Sequence, residues 1–300
     1  MTAGRRPPAP ECGTTRPVTF ALGVLMFPTD RAIRPDELAR EAEARGFESL
    51  WFPEHTHIPV SRLSPWPGGP ELPEEYKRTH DPFVALTAAG AATERLKLAT
   101  GICLVAQRDP IALAKQVASL DMLSGGRFLF GIGVGWNVEE MENHGVDPAT
   151  RRALVREKVL AMKSLWTDDE GGFDGDLVHV SRSWSWPKPA QQPHPPVIMG
   201  GAGGAVTFRH VAEYCEGWMP IHGRRDVLDK LPLLRKTCEE AGRDPDSVEL
   251  GVFGVPPSEE VIASYRDAGV RRCVLGLPAA PREVVLPLLD RAAELLTSCT

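Results

Sequence analysis

No two cysteines in this chain are spaced to share a metal or a redox couple. The six, Cys12, Cys103, Cys215, Cys238, Cys273 and Cys299, lie far apart, with no CxxC and no zinc-type spacing. Each reads as a small buried or surface residue, a usage that suits a reducing cytoplasm. Also missing is any apolar run near the roughly 18 residues of a membrane helix, so no span is expected. The opening stretch, MTAGRRPPAPECGTTRP, lacks the apolar core of about seven residues that marks a signal peptide. Residues 1–17 are expected to form a disordered tail. Nor is there an excess of positive charge. Against 40 acidic side chains stand 34 Lys and Arg, scattered along a chain of net charge -6. That balance argues against nucleic acid or an acidic lipid surface as partner.

What the chain does have is alternation. Short β-rich runs are separated by helical stretches, the pattern of parallel βα units. The candidate strands are VTFALGV (18–24), ESLWF (48–52), LKLATGI (96–102), RFLFGIGV (127–134), PVIMGG (196–201), GWMPI (217–221), VELGVFG (248–254) and RCVLGL (272–277). Helix starts are legible at Pro35-Asp36-Glu37 and Asp109-Pro110, and helix stops at Gly46, Gly125, Gly242 and Gly269. Eight such units favour an α/β fold of the (β/α)8 TIM-barrel type over a doubly wound sheet. A chain of 300 residues can bury a core with neither disulfides nor metal, and residues 18–300 read as a single barrel domain.

Two long Pro/Gly-rich connections interrupt the pattern, at 55–80 and 168–195. Loops of that length in a compact domain are usually lids or unstructured segments. The first follows a strand and so belongs to the catalytic face of a barrel; the second follows a helix and includes FDGDLVHV, which reads as a small hairpin. Both are expected to shape a substrate pocket. Trp66 lies in the first. Trp184 and Trp186 lie in the second, where they either line a lid or pack on the surface.

Four polar residues, Glu54, His55, Thr56 and His57, follow the second strand at once. A histidine beside a carboxylate at a barrel mouth is the usual pairing for proton transfer. A His-x-His pair also suggests a metal cage, but three or four ligands are needed. Only His222 is placed to join, after the sixth strand, so no metal is expected. Two glycine-rich turns, GIGVGWNVEEMENHG (131–145) and MGGAGGAV (199–206), expose rows of N–H donors able to cradle an anion. Each reads alternatively as a softened strand end. The stretch ATGICLVAQRDP (99–110) ends the third strand in a polar turn.

Together these phrases, with MKSLWT and WPKPAQQPHPPVIMGG, resemble the luciferase-like monooxygenase superfamily, and within it the actinobacterial oxidoreductases that use the deazaflavin coenzyme F420. The resemblance runs from Val18 to about Leu277. It implies a barrel with the flavin-like ring at the C-terminal ends of the strands. It implies a bulge after the third strand, commonly with a non-proline cis peptide, at Gly101-Ile102 or Ile102-Cys103, and so a ring site around Thr100, Gly101, Ile102 and Cys103. It assigns the phosphate to Gly133, Val134 and Gly135, with Asn137 or Glu139 nearby, and to the backbone of Gly200, Gly201, Ala202, Gly203 and Gly204. His55 becomes the proton donor or acceptor with Glu54 as its neighbour, and His57, Trp66, Trp184 and Trp186 border the substrate. Arg224 and Arg225 follow the sixth strand, where some relatives hold the coenzyme's tail. The implied activity is hydride transfer to or from a small molecule, in a cytoplasmic homodimer. FMN with oxygen chemistry, or a non-catalytic flavin binder, are the competing expectations.

Overall fold

A computed structural model describes residues 20–224 and 226–299. The expected tail at 1–17 lies outside these residues, as do Val18, Thr19 and Arg225. The chain runs β1 (Ala21–Leu25), α1 (Pro35–Ala44), β2 (Ser49–Phe52), α2 (Pro82–Ala91), β3 (Lys97–Thr100), β4 (Cys103–Leu104), α3 (Pro110–Leu123), β5 (Phe128–Gly133), α4 (Val138–Asn143) and α5 (Arg151–Thr167). It continues through β6 (Gly171–Asp174), β7 (His179–Ser183), β8 (Val197–Gly200), α6 (Ala205–Tyr214), β9 (Gly217–Met219), α7 (Leu231–Glu240), β10 (Glu249–Val255), α8 (Glu259–Asp267), β11 (Arg272–Gly276) and α9 (Arg282–Cys299).

β1 pairs in parallel with both β2 and β11, and β3 pairs in parallel with β5, which closes the sheet on itself. β3 and β4 are one barrel strand broken at Gly101-Ile102, so the expected continuous strand 96–102 is corrected to two segments. Counted that way, eight parallel strands form a TIM barrel with helices between them. The Gly101–Ile102 peptide at the break is cis.

Four of the helices, α2, α3, α4 and α8, begin where a side chain satisfies free N–H groups. Asp81 accepts from the N–H groups of Phe83 and Val84 ahead of α2, and Asp109 accepts from that of Ala112 ahead of α3, each with proline next. Side chains alternate along each strand. One set points outward to the helices, including Leu50, Phe52, Phe128 and Phe130. The other fills the barrel with Trp51, Ala99, Leu129, Ile198, Met219, Phe253 and Val274. Trp51 and Phe253 meet edge to face, 5.0 Å between ring centroids. Large side chains buried in this way contribute about 1.5–3 kcal/mol each. Gly131 is required here, because a Cβ would lie 2.0 Å from the Thr100 carbonyl oxygen.

At the N-terminal end of the strands Arg272 is buried between Glu48 and Glu249, its guanidinium 5.8 Å from the Trp51 ring centroid. This ionic plug closes one end of the barrel. The other end carries the loop 53–81 and the cavity described next. The connection 168–195 does not reach that cavity. β6 and β7 form the expected hairpin, which lies along α5, with Glu157 accepting from the N–H groups of Asp176, Leu177 and Val178. A segment that follows a helix starts from the N-terminal side of the strands, so the expectation that 168–195 shapes the pocket is corrected. Trp184 and Trp186 are 79% and 59% exposed and stand outside the barrel mouth, where Lys115 donates to the Trp186 carbonyl.

Candidate active site

The C-terminal ends of the strands surround a cavity of about 400 Å³. Its floor is backbone: Gly101, Gly133 and Gly200 gather around the Ile102 side chain. A Cβ on Gly133 would fall 2.5 Å from Ile102 Cδ1, and one on Gly200 2.8 Å from Ile102 Cγ2. Glycine at 133 and 200 lets these two strands close around that isoleucine. The walls are aromatic. Phe27 and Tyr76 lie 4.5 Å apart, Trp66 and Tyr76 5.7 Å, and His55 and Tyr76 5.2 Å, measured between ring centroids. Burial pushes the Tyr76 phenol above its ordinary pKa, so it stands as a neutral hydroxyl.

β2 delivers His55 into this space three residues past its end, and two contacts fix the ring. The Trp136 indole N–H donates to His55 Nε2 at 3.3 Å, and His55 Nδ1 lies 2.7 Å from Glu140 Oε2. An indole nitrogen only donates, so Nε2 is the accepting nitrogen and Nδ1–H donates to Glu140. Glu140 is fully buried in the first turn of α4. Asn137 caps that helix by accepting from the Glu140 N–H, and the N–H of Thr56 donates to Glu140 Oε1 at 3.1 Å. The carboxylate is thereby held in one position, beside an imidazole whose other nitrogen takes the Trp136 N–H at the cavity wall.

Glu54 has a different task from the expected one. The N–H of Leu104 donates to Oε2 at 2.7 Å and Arg108 Nε to Oε1 at 2.6 Å, while Arg108 also grips Asp81. Both oxygens are engaged, which corrects the expectation that Glu54 is the working neighbour of His55. Burial alone would lower the Arg108 pKa, but Glu54 and Asp81 more than offset it and raise it. The ion pair ties the end of β2 to the turn after β4 and so holds the cavity floor.

Asn137 and Glu139 are corrected too. Asn137 is spent on the helix cap. Glu139 accepts from Ser61, from the N–H groups of Leu63 and Ser64, and from the Ser64 hydroxyl, so it latches the loop after β2 instead of bordering a phosphate. Thr100 is fully buried and donates to the Gly131 carbonyl at 2.6 Å, and Cys103 is fully buried. Neither reaches the cavity. His57 also stays outside it, bonded to Thr56 and Asn143. Gly133, Val134, Gly135, Gly200, Gly201, Ile102, Gly101 and Trp66 do line it. A second cavity of about 470 Å³ adjoins the first through Gly201, Ile221 and Arg224, and its lining includes Ala202, Gly203 and Lys230. Gly204 precedes α6 as its N-cap residue. Among the described residues no group of three or more His, Cys, Asp and Glu side chains is arranged to hold a metal ion, and no helix is long and apolar enough to cross a membrane.

Sequence reasoning missed Glu140, Trp136, Tyr76 and Arg108. The Asn137-x-x-Glu140 spacing is a helix-start signal that puts the acid in the first turn, and that was the one clue to Glu140.

A profile of the family described as luciferase-like monooxygenase matches residues 28–284. The chain belongs to the luciferase-like monooxygenase family. An uncharacterised protein of Mycobacterium tuberculosis is 42% identical over 282 residues, covering 92% of this chain and 99% of its own. An F420-dependent hydroxymycolic acid dehydrogenase of the same organism is 26% identical over 293 residues, covering 94% of this chain and 74% of its own. An F420-dependent secondary alcohol dehydrogenase, solved with an F420–acetone adduct, shares the fold with a TM-score of 0.74 at 20% identity, over 94% of this chain and 99% of that one.

Proposed function

We propose that this luciferase-like protein is an oxidoreductase that moves a hydride between the deazaflavin coenzyme F420 and a small organic substrate, with His55 giving or taking the accompanying proton. The observation that carries the reading is His55 itself: a buried imidazole, held at Nδ1 by Glu140, with Nε2 toward a cavity floored by Gly101, Ile102, Gly133 and Gly200. The backbone floor fits a planar ring. The adjoining cavity, with the backbone of Gly201–Gly203 beside Arg224 and Lys230, fits a phosphate-bearing tail. Bound there, the coenzyme would supply the hydride-carrying ring carbon.

The protein's own residues supply the rest. As an alcohol is oxidised, its hydroxyl displaces the Trp136 N–H from His55 Nε2 and gives its proton there, and the Glu140 carboxylate offsets the positive charge that forms on the imidazole. Trp136 holds the ring in register. Phe27, Trp66 and Tyr76 exclude water and favour substrates with an apolar body. The exposed, uncharged face of α2, formed by Val84, Thr87, Ala88 and Ala91, supports assembly as a homodimer, and the reading is of a cytoplasmic enzyme.

Titration of the purified protein with F420 and with FMN, followed by absorbance and fluorescence, tests the reading. F420 is expected to bind in the micromolar range and to be reduced or oxidised with a panel of secondary alcohols, aldehydes and enones. Micromolar binding of FMN with none of F420 would replace it by an oxygen-using monooxygenase. Tight F420 binding with no turnover across the panel would leave a binder.

A further inference from the structure

The hydrogen bonds of His55 continue past Glu140. The Thr56 hydroxyl lies 3.5 Å from Glu140 Oε1, 2.7 Å from His144 Nε2 and 2.9 Å from His57 Nδ1. Asn143 Nδ2 donates to His57 Nε2 at 2.9 Å, so His57 carries its hydrogen on Nδ1 and gives that bond to Thr56. The Thr56 hydrogen is then available to Glu140 or to His144. His55 and Glu140 are buried, whereas Thr56 and His144 are exposed. A continuous path of side chains therefore joins the cavity wall to solvent, through the loop after β2 and helix α4.

We propose that Glu140, Thr56 and His144 are the route by which the His55 proton reaches bulk water. The proposal rests on the reading that His55 Nε2 exchanges a proton with substrate. In the oxidising direction the substrate hydroxyl takes the place of the Trp136 indole N–H at Nε2, its O–H bond breaks and an Nε2–H bond forms, and a bound coenzyme would take up the hydride from the substrate carbon. The Nδ1 hydrogen passes to Glu140 Oε2. A half-turn of the carboxyl group presents that hydrogen to Thr56 Oγ1, which accepts it while handing its own to His144 Nε2. His144 releases one proton to water from Nδ1. One proton has entered at Nε2 and one has left at the surface, and His55 is neutral with its hydrogen on Nε2. The reverse traffic, from water to His144, Thr56, Glu140 and Nδ1, with Nε2–H given to a substrate oxygen, serves reduction and restores the starting tautomer. His57, pinned by Asn143, orients the Thr56 oxygen and acts as a positioning residue.

The route can be tested without coenzyme or substrate. In 15N-histidine-labelled protein the His55 Nδ1 hydrogen gives a downfield proton resonance, assigned by its loss in H55Q. Its exchange with water is expected to slow by about 10-fold or more in T56V and to recover in T56S, with H144A in between. Equal exchange rates in wild type and T56V overturn the route whatever the turnover. In turnover, T56V and H144A should lose rate at low buffer concentration and regain it with added imidazole, which carries protons in place of the missing group. A deficit that imidazole leaves unchanged also counts against it. Slow exchange in T56V together with a wild type that turns over no substrate refutes the functional reading and leaves the route standing.

Discussion

Glu54 and Glu140 are two buried carboxylates on one cavity wall, and what each touches separates their roles. Glu54 borders the cavity, but it gives both oxygens to Arg108 and the Leu104 N–H, so its charge is neutralised by the guanidinium. Glu140 faces the His55 ring and the Thr56 backbone, where a negative charge can follow the imidazole through a cycle. We expect H55Q to lower turnover by about 100-fold to 10,000-fold, the range of a positioned general acid or base, with coenzyme affinity kept. E140Q should lose less, because the amide still accepts from Nδ1–H but carries no charge. Steady-state rates beside coenzyme titrations decide it, and unchanged turnover in H55Q would remove His55 from the mechanism. At this scale the sequence was half legible. His55 stood out because it follows an apolar strand closed by Pro53, but Glu54 was read as its neighbour where Glu140 holds it, and Glu139 was read beside a phosphate where it holds the loop. Adjacent acids in a short helix differ only in which way a turn of about 100° points them, and a six-residue helix, α4, has too little periodicity to reveal it.

The loop after β2 shows how an element is held over a site. Glu139 sits on α4 and accepts from Ser61, Leu63 and Ser64 across the cavity rim, a few residues before Trp66 enters the wall. The Ser64 hydroxyl is the main influence on its carboxyl, burial opposes it and the Ser64 N–H adds to it, and the pKa falls from 4.5 to about 2. A depressed pKa means the latch contributes fully above about pH 4.5 and weakens as pH falls toward about 2. E139Q should therefore raise amide exchange at 61–64 several-fold at neutral pH, as expected when a charge-assisted hydrogen bond is lost. The gap between E139Q and wild type should persist down to about pH 4.5 and narrow below it. A gap that stays constant with acidification contradicts the latch. The barrel strands were readable because a glycine stops the helix before the apolar run, as at Gly46 and Gly269, whose φ angles are 90° and 88°. The break at Gly101 was not readable from propensity, since LKLATGI reads as one continuous strand; only the family resemblance pointed to it. Nor did the Trp-rich composition of 168–195 say which end of the barrel it serves; only its place after a helix did.

Taken whole, the barrel has one closed end and one working end, and its flank is the remaining question. The ionic plug of Arg272, Glu48 and Glu249 seals the N-terminal side, the aromatic cavity opens on the other, and most helices present charge to solvent. α2 does not: its ten residues, PFVALTAAGA, contain no charge, and Val84 on its outer face is 70% exposed. Neighbouring α3 exposes Ile111, Met122 and Leu123, the last at 76%, and the two helices pack side by side. Exposed Lys115 and Gln116 share the outer face of α3 with these residues; exposed apolar groups of this kind favour an interface, and two helices are a sufficient platform for a symmetric pair, in which the same patch meets itself. A stable interface buries about 1,200–2,000 Å² in total, which asks for contributions beyond α2 and α3, and the exposed Trp186, tethered to α3 by Lys115, lies within their reach. The wild-type protein should therefore run as a dimer in size-exclusion chromatography with light scattering. V84E/L123E sets two carboxylates against their symmetry mates and should shift the population to monomer, while coenzyme titration shows whether the barrel mouth is intact. Because the cavity and its relay are built within one chain, the monomer should keep its coenzyme affinity. A wild type that is monomeric at micromolar concentration, or a double variant that stays dimeric, would move the interface elsewhere on the barrel.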